Sequence, residues 1–160
     1  MILIGFMGVG KTTIALKLAE VGNKNFVDLD DLIEKNKNKS IPNIFKDEGE
    51  AAFRRYEYEA LKEAVRNDIV ATGGGIVEYP PSLDFLKQTS KTVIFLNADF
   101  DTLYKRIKND TNRPNAIKSY EELKKLYDKR NKYYTSVADI VINNDDELNE
   151  VIHKILHLEI

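Results

Sequence analysis

The segment Gly5-Phe6-Met7-Gly8-Val9-Gly10-Lys11-Thr12 constrains the fold of this chain more than any other. It matches G-x-x-x-x-G-K-[ST] and joins an apolar run, Met1 to Ile4, to an amphipathic stretch, Lys11 to Val21. The apolar run reads as a buried strand. The stretch reads as a helix, with Ile14, Ala15, Leu18 and Ala19 on one face and Gly22 as its expected stop. Glycines between such elements let backbone N–H groups turn inward around phosphate oxygens. The new helix adds its own unpaired N–H groups and the positive end of its dipole. Lys11 is expected to reach β- and γ-phosphates, and the Thr12 hydroxyl to be offered to Mg²⁺. Such a loop points to a nucleoside triphosphate and leaves the acceptor open, since switches, motors and small-molecule kinases share it.

The rest of the chain alternates strand and helix. Phe26 to Asp30 reads as a second strand, and Asp31 to Asn36 and Ile41 to Lys46 as short helices, the latter capped by Ser40. A long amphipathic helix follows from Glu48 to Arg66, then a strand from Ile69 to Thr72. Ser82 to Gln88 reads as a helix and Thr92 to Leu96 as a strand. Asp99 is expected to cap a helix through Lys108, and Ser119 and Glu122 have capping-box spacing for a helix to about Ser136. Asp139 to Ile142 is the expected last strand and Asp146 to Leu158 the last helix. Five apolar strands interleaved with helices predict an α/β three-layer sandwich with a five-stranded parallel sheet covered on both faces. At 160 residues a single domain is expected. Ligands of such sheets bind beyond the carboxyl ends of the strands, which directs attention to three places.

At the first of these, Asp28 and Asp30 stand two apart on the expected second strand and so face the same way. Two like charges side by side are costly unless a cation or a substrate hydroxyl uses them. Helix capping is the competing reading for this acidic cluster, and for Asp31 the preferred one. Gly73-Gly74-Gly75 follows the strand ending at Thr72, and is either a place of close approach or an ordinary flexible turn. The third feature is arginine. Lys and Arg total 24, and six are arginine (Arg54, Arg55, Arg66, Arg106, Arg113 and Arg130), leaving 18 lysines. In so lysine-rich a chain, arginine is expected where its planar fork is needed, as on a carboxylate or phosphate. Arg54 could also pair with Glu50 or Glu57 along its own helix.

Composition excludes several alternatives. A net charge of -2 argues against a nucleic-acid or anionic-membrane coat, so any anion site is local. The chain has no cysteine, so it holds no disulfide or thiolate metal site. The first residues carry no basic region or cleavage motif, and no apolar run approaches the roughly 20 residues of a membrane span, which makes the cytoplasm the expected compartment. His153 and His157 stand at i, i+4, but with no third ligand in evidence they read as a helix face. Tyr133-Tyr134 reads as core and site wall.

Taken together, these residues resemble the shikimate kinase family over nearly the whole chain. The resemblance rests on the phosphate loop through Thr13, Asp28-Leu29-Asp30, Phe53-Arg54-Arg55-Tyr56-Glu57, Gly73-Gly74-Gly75, Arg113-Pro114, and Arg130 with Tyr134 and Val137-Ala138. It implies a nucleoside monophosphate kinase-like P-loop fold, a substrate-binding helical segment at about 31–60 and a lid at about 109–119. It also implies transfer of the γ-phosphate of ATP to the 3-hydroxyl of shikimate. Gly8, Val9, Gly10, Lys11, Thr12, Thr13, Arg106 and Arg113 would hold ATP, with Arg106 against the adenine and Arg113 on the lid reaching the transferring phosphate. Asp30, Arg54, Gly73, Gly74, Gly75 and Arg130 would hold shikimate, the two arginines on its carboxylate. Lys11, Asp30 and Arg113 would be catalytic, Mg²⁺ the cofactor on Thr12 and, through water, on Asp28. A monomer using ATP and shikimate, with no nucleic acid or membrane partner, is the resulting expectation.

Two departures stand out. The family's lid usually continues Arg-Pro-Leu-Leu, whereas here it reads Arg113-Pro114-Asn115-Ala116. The loop after the last strand reads Asn143-Asn144-Asp145-Asp146, and its nucleotide contact cannot be assigned from sequence. A gluconate or nucleotide kinase, or a module that binds ATP without transferring phosphate, remain alternatives at this point.

Overall fold

The computed structural model describes residues 1–109, 118–145 and 147–158. Its elements run β1 (Ile2–Ile4), α1 (Lys11–Gly22), β2 (Phe26–Asp28), α2 (Leu29–Lys37), α3 (Ile41–Ala64) and β3 (Ile69–Ala71). A 3-10 turn (Ile76–Glu78) then leads to α4 (Pro80–Gln88), β4 (Val93–Asn97), α5 (Phe100–Lys108), α6 (Tyr120–Val137), β5 (Ile140–Asn143) and α7 (Leu148–Leu156). All strand pairs are parallel, in the order β2-β3-β1-β4-β5. The expected five-stranded parallel sheet is therefore present, with helices on both sides.

Burial explains that order. The interior strands β1 and β3 consist of Ile2, Leu3, Ile4, Ile69, Val70 and Ala71, all fully buried, as apolar runs covered on both faces must be. The edge strands β2 and β5 carry partly exposed residues. Helix α1 packs beside α7, and α6 packs on β4 next to α4 and α5. No described helix is long and apolar enough to cross a membrane.

Local chemistry sets most boundaries. Ser119 and Glu122 form the expected capping box on α6, and Asp99 caps α5. Helix α1 ends one residue later than expected, with Asn23 rather than Gly22 in the left-handed capping position at φ 49°. The two helices read between Ile41 and Arg66 are joined into α3, but Gly49, at φ 84° and ψ 172°, breaks the helical path between them. Phe45 and Phe53 pack against each other across this kink, ring centroids 4.7 Å apart and planes tilted by 40°.

One sequence reading needs correction. Strand β2 ends at Asp28, and Asp30 lies in the first turn of α2. Strand alternation therefore does not align the two carboxylates. Asp28 is the N-cap of α2, its Oδ1 accepting a hydrogen bond from the Asp30 N–H at 2.9 Å. Asp31 is a first-turn residue of that helix and not its cap.

Candidate active site

A cleft of about 770 Å³ opens where β1, β2 and β3 end. Its lining includes Lys11, Thr12 and Thr13 from the phosphate loop, Asp28 and Asp30 from the start of α2, Arg54 and Glu57 from α3, Gly73 to Gly75, and Arg130 from α6. Ile41, Pro42, Phe45 and Phe53 form an apolar wall beside these polar groups. Of the residues expected from sequence to form the site, Val9 and Arg106 do not line this cavity, and Arg113 lies outside the described residues.

The loop after β1 turns on glycine. Gly8 and Gly10 have φ values of 82° and 89°, which suit residues without a Cβ. Gly10 precedes α1 with no side-chain cap, and no acidic residue stands in the first turn, so the helix's leading N–H groups remain available to an anion. The Lys11 ammonium reaches back over the loop to the carbonyls of Gly5 at 2.7 Å and Phe6 at 3.1 Å. Arg106 of α5 donates to the Gly8 carbonyl at 3.3 Å, which puts it over this loop. From the far side, Asn144 donates through Nδ2 to the Val9 carbonyl at 2.5 Å, while its own N–H bonds the Asn97 carbonyl at 2.6 Å. The loop that sequence left unassigned therefore ties the phosphate loop to the ends of β4 and β5.

Thr12 and Asp28 meet directly, the hydroxyl donating to Asp28 Oδ2 at 2.5 Å. An adjacent hydroxyl and carboxylate are the hard oxygen donors that Mg²⁺ accepts. No group of three or more His, Cys, Asp or Glu side chains that could hold a metal occurs among the described residues. His153 and His157 stack with centroids 3.9 Å apart on α7 and belong to no such group.

Asp30 and Glu57 both border Gly73. A Cβ on Gly73 would stand 2.7 Å from Glu57 Oε1 and 3.4 Å from Asp30 Oδ1. Burial pushes the Asp30 carboxyl up to about 6, with the nearby Asp28 charge adding and Lys11 opposing. Burial pushes Glu57 further, to about 7, although Arg54 pulls the other way. Glu57 is 1% exposed and was not singled out as a site residue from sequence; its spacing of three from Arg54 was the available signal.

Two guanidinium groups complete the wall. Arg54 Nη1 donates to Glu57 Oε2 at 2.6 Å and Nη2 to Glu50 Oε1 at 3.2 Å, so both helical partners considered from sequence are used. Its Nε is buried without a hydrogen-bond partner among the described residues. Arg130 is held by Glu78, through Nε at 3.0 Å and Nη2 at 2.7 Å. Glu78 went unrecognised in the sequence because its partner lies 52 residues away on another element.

Space, not backbone freedom, explains Gly73 and Gly75. None of Gly73, Gly74 and Gly75 has a positive φ. A Cβ on Gly75 would overlap the Arg54 guanidinium, and one on Gly74 would stand 3.4 Å from both Arg130 Nη1 and the Met7 nitrogen. The buried Tyr134 hydroxyl donates to the Gly74 carbonyl and pins the turn. Arg113 and residues 110–117 of the expected lid lie outside the described residues.

Comparison with known proteins points to one family. A family model described as shikimate kinase matches residues 7–159. A shikimate kinase of Staphylococcus haemolyticus is 44% identical over 158 residues, which is 98% of this chain and 91% of the relative. One of Macrococcus caseolyticus is 45% identical over 156 residues, 96% of this chain and 92% of the relative. Among solved structures, a shikimate kinase from Acinetobacter baumannii in complex with shikimate aligns with a TM-score of 0.90 at 34% identity, covering 98% of this chain and 90% of that one. A deoxyadenosine kinase from M. mycoides shares the fold alone, with a TM-score of 0.65 and 18% identity.

Proposed function

The chain belongs to the shikimate kinase family, and from that membership and the cleft we infer that it transfers the γ-phosphate of ATP to the 3-hydroxyl of shikimate, giving shikimate 3-phosphate and ADP. The observation that carries the residue roles is convergence. Lys11, Asp28, Asp30, Arg54 and Arg130 come from separate elements yet line one cavity with Gly73 to Gly75.

In this reading the N–H groups from Gly8 to Thr13 cradle the β- and γ-phosphates, and Lys11 leaves the loop carbonyls to meet them. Arg106 lies on the nucleotide side of the loop, over Gly8. Arg54 and Arg130 take the shikimate carboxylate, and the glycine run brings backbone close to the same molecule. That grip turns the ring so that one hydroxyl faces Asp30. Asp30 accepts the hydroxyl proton as the hydroxyl oxygen bonds to the γ-phosphorus and the bond to the bridging oxygen of ADP breaks. A carboxyl whose pKa stands near 6 suits that task, being ionised at neutral pH yet basic enough to hold a proton. Mg²⁺, held by Thr12 and through water by Asp28, would neutralise charge on the phosphate oxygens. Phosphoryl transfer otherwise asks mainly for in-line placement, which this wall supplies. Arg113 is proposed as the lid cation on the transferring phosphate.

Shikimate-dependent ADP release is the direct test. The wild-type protein is expected to release ADP only when both ATP and shikimate are present, and Lys11→Ala to lose turnover. Arg54→Ala is expected to raise KM for shikimate by roughly a hundredfold, as loss of a charged bidentate clamp does, with KM for ATP little changed. Normal turnover by Arg54→Ala at low shikimate would overturn the carboxylate assignment.

A further inference from the structure

Glu78 closes the 3-10 turn that follows the glycine run, and the reaction as described leaves it without a role. Its carboxylate nevertheless lies between the two guanidinium groups of the cleft. Oε2 accepts both bonds from Arg130 and stands 3.9 Å from Arg54 Nη2. Oε1 faces outward and meets the ammonium of Lys129 at 2.9 Å. Burial works to raise the Glu78 pKa, but Lys129 and Arg130 outweigh it and hold the group below the usual carboxylate range. Glu78 is therefore an anion at neutral pH.

The pattern of bonds matters more than their number. Nε and Nη2 share one edge of the planar guanidinium, and both are taken by a single oxygen of Glu78. That fixes the plane of Arg130 and its rotation. Nη1 is left pointing toward Gly74, 3.4 Å from where a Cβ on that glycine would stand. Gly74 and Arg130 both line the cleft, and Nη1 is the nitrogen on its Gly74 side. A long arginine on a helix has rotamer freedom that must be lost before it can grip a planar anion, and here the loss precedes binding.

We propose that Glu78 is a positioning residue for the acid substrate: by holding Nε and Nη2 of Arg130, it aims Nη1 at a carboxylate bound beside Gly74. The proposal rests on the shikimate kinase reading given above. It assigns specificity to a residue that is not part of the cleft lining.

Glu78→Gln tests this with an isosteric side chain that folds in the same space. Glutamine keeps one oxygen that can still accept from Nε and Nη2 but loses the negative charge, so both bonds to Arg130 weaken and the ion pairs with Arg130 and Lys129 are lost. KM for shikimate is expected to rise roughly tenfold, with KM for ATP within about twofold of wild type. Glu78→Ala, with no acceptor, should raise KM for shikimate further. The methyl ester of shikimate carries no carboxylate charge, and calorimetry should find that wild type and Glu78→Gln bind it equally. An unchanged or lowered KM for shikimate in Glu78→Gln overturns the proposal, as does an equal loss of affinity for acid and ester. Absence of shikimate-dependent ADP release in the wild type overturns the assigned reaction itself. An active wild type with an indistinguishable Glu78→Gln overturns only the role of Glu78.

Discussion

Asp30 and Glu57 place two partly conflicting demands on the same pocket. Each is an acid whose pKa is raised in the folded protein, Asp30 to about 6 and Glu57 to about 7, with burial the leading cause for both. For such a group the ionised form is better tolerated in the unfolded chain. Stability is therefore greatest while both are protonated and falls as pH rises from the ordinary carboxylate range toward the raised values. Full ionisation costs roughly 3 kcal/mol for each group at about 1.4 kcal/mol per pH unit. The melting temperature of the ligand-free protein is expected to fall between about pH 4 and about pH 7 and to level off above that, and Asp30→Asn and Glu57→Gln to flatten that slope. A slope unchanged in both variants would contradict the assignment. Activity has the opposite sign, because a proton acceptor must be ionised. kcat/KM for shikimate is expected to rise with pH through about 6, the pH at which Asp30 loses its proton. None of these shifts was readable along the chain, because burial is a property of what packs against a carboxyl and not of its neighbours in sequence.

Elements obey local chemistry where their signals are local. The Ser119–Glu122 capping box and the Asp99 cap involve residues within three positions of each other, and both formed as read. The start of α2 was misread because Asp28 ends a strand and caps a helix at once, and nothing in Asp28-Leu29-Asp30 says which role prevails. The 3-10 turn after the glycine run was not foreseen at all; its Glu78 is bound to α6. The run itself was legible only as two alternatives. Its cause is the Arg54 guanidinium, which occupies the volume a Gly75 side chain would need. Gly75→Ala is accordingly expected to displace Arg54 and weaken shikimate binding by roughly a hundredfold, with nucleotide affinity retained. Titration of each ligand separately checks this, and an equal loss of both would show that the turn supports the whole cleft.

At the scale of the molecule, strand order does the gathering. With β2, β3 and β1 adjacent, the three loops that leave their carboxyl ends lie side by side. That adjacency brings Thr12 to Asp28, 16 residues on, and Asp30 to Gly73. Asn144 then closes the other side on Val9 across 135 residues. A cleft assembled from so many elements should stabilise the whole fold when filled. ADP at a hundred times its Kd adds about 2.7 kcal/mol, and a domain of this size gains roughly 5–10 °C in melting temperature from that. A thermal melt with and without ADP reads the shift, and Lys11→Ala should abolish most of it. By itself, the sequence determined the parallel sheet, the phosphate loop, the Ser40, Asp99 and Ser119 caps and the identity of the carboxylates and guanidiniums, because strand and helix periodicity and capping act over a few residues. Only the tertiary structure decided that Glu78 holds Arg130, that Gly73 and Gly75 leave room for Glu57 and Arg54, and that Asn144 braces the loop. Those contacts join residues made neighbours by the packing of the sheet, and no short-range pattern encodes them.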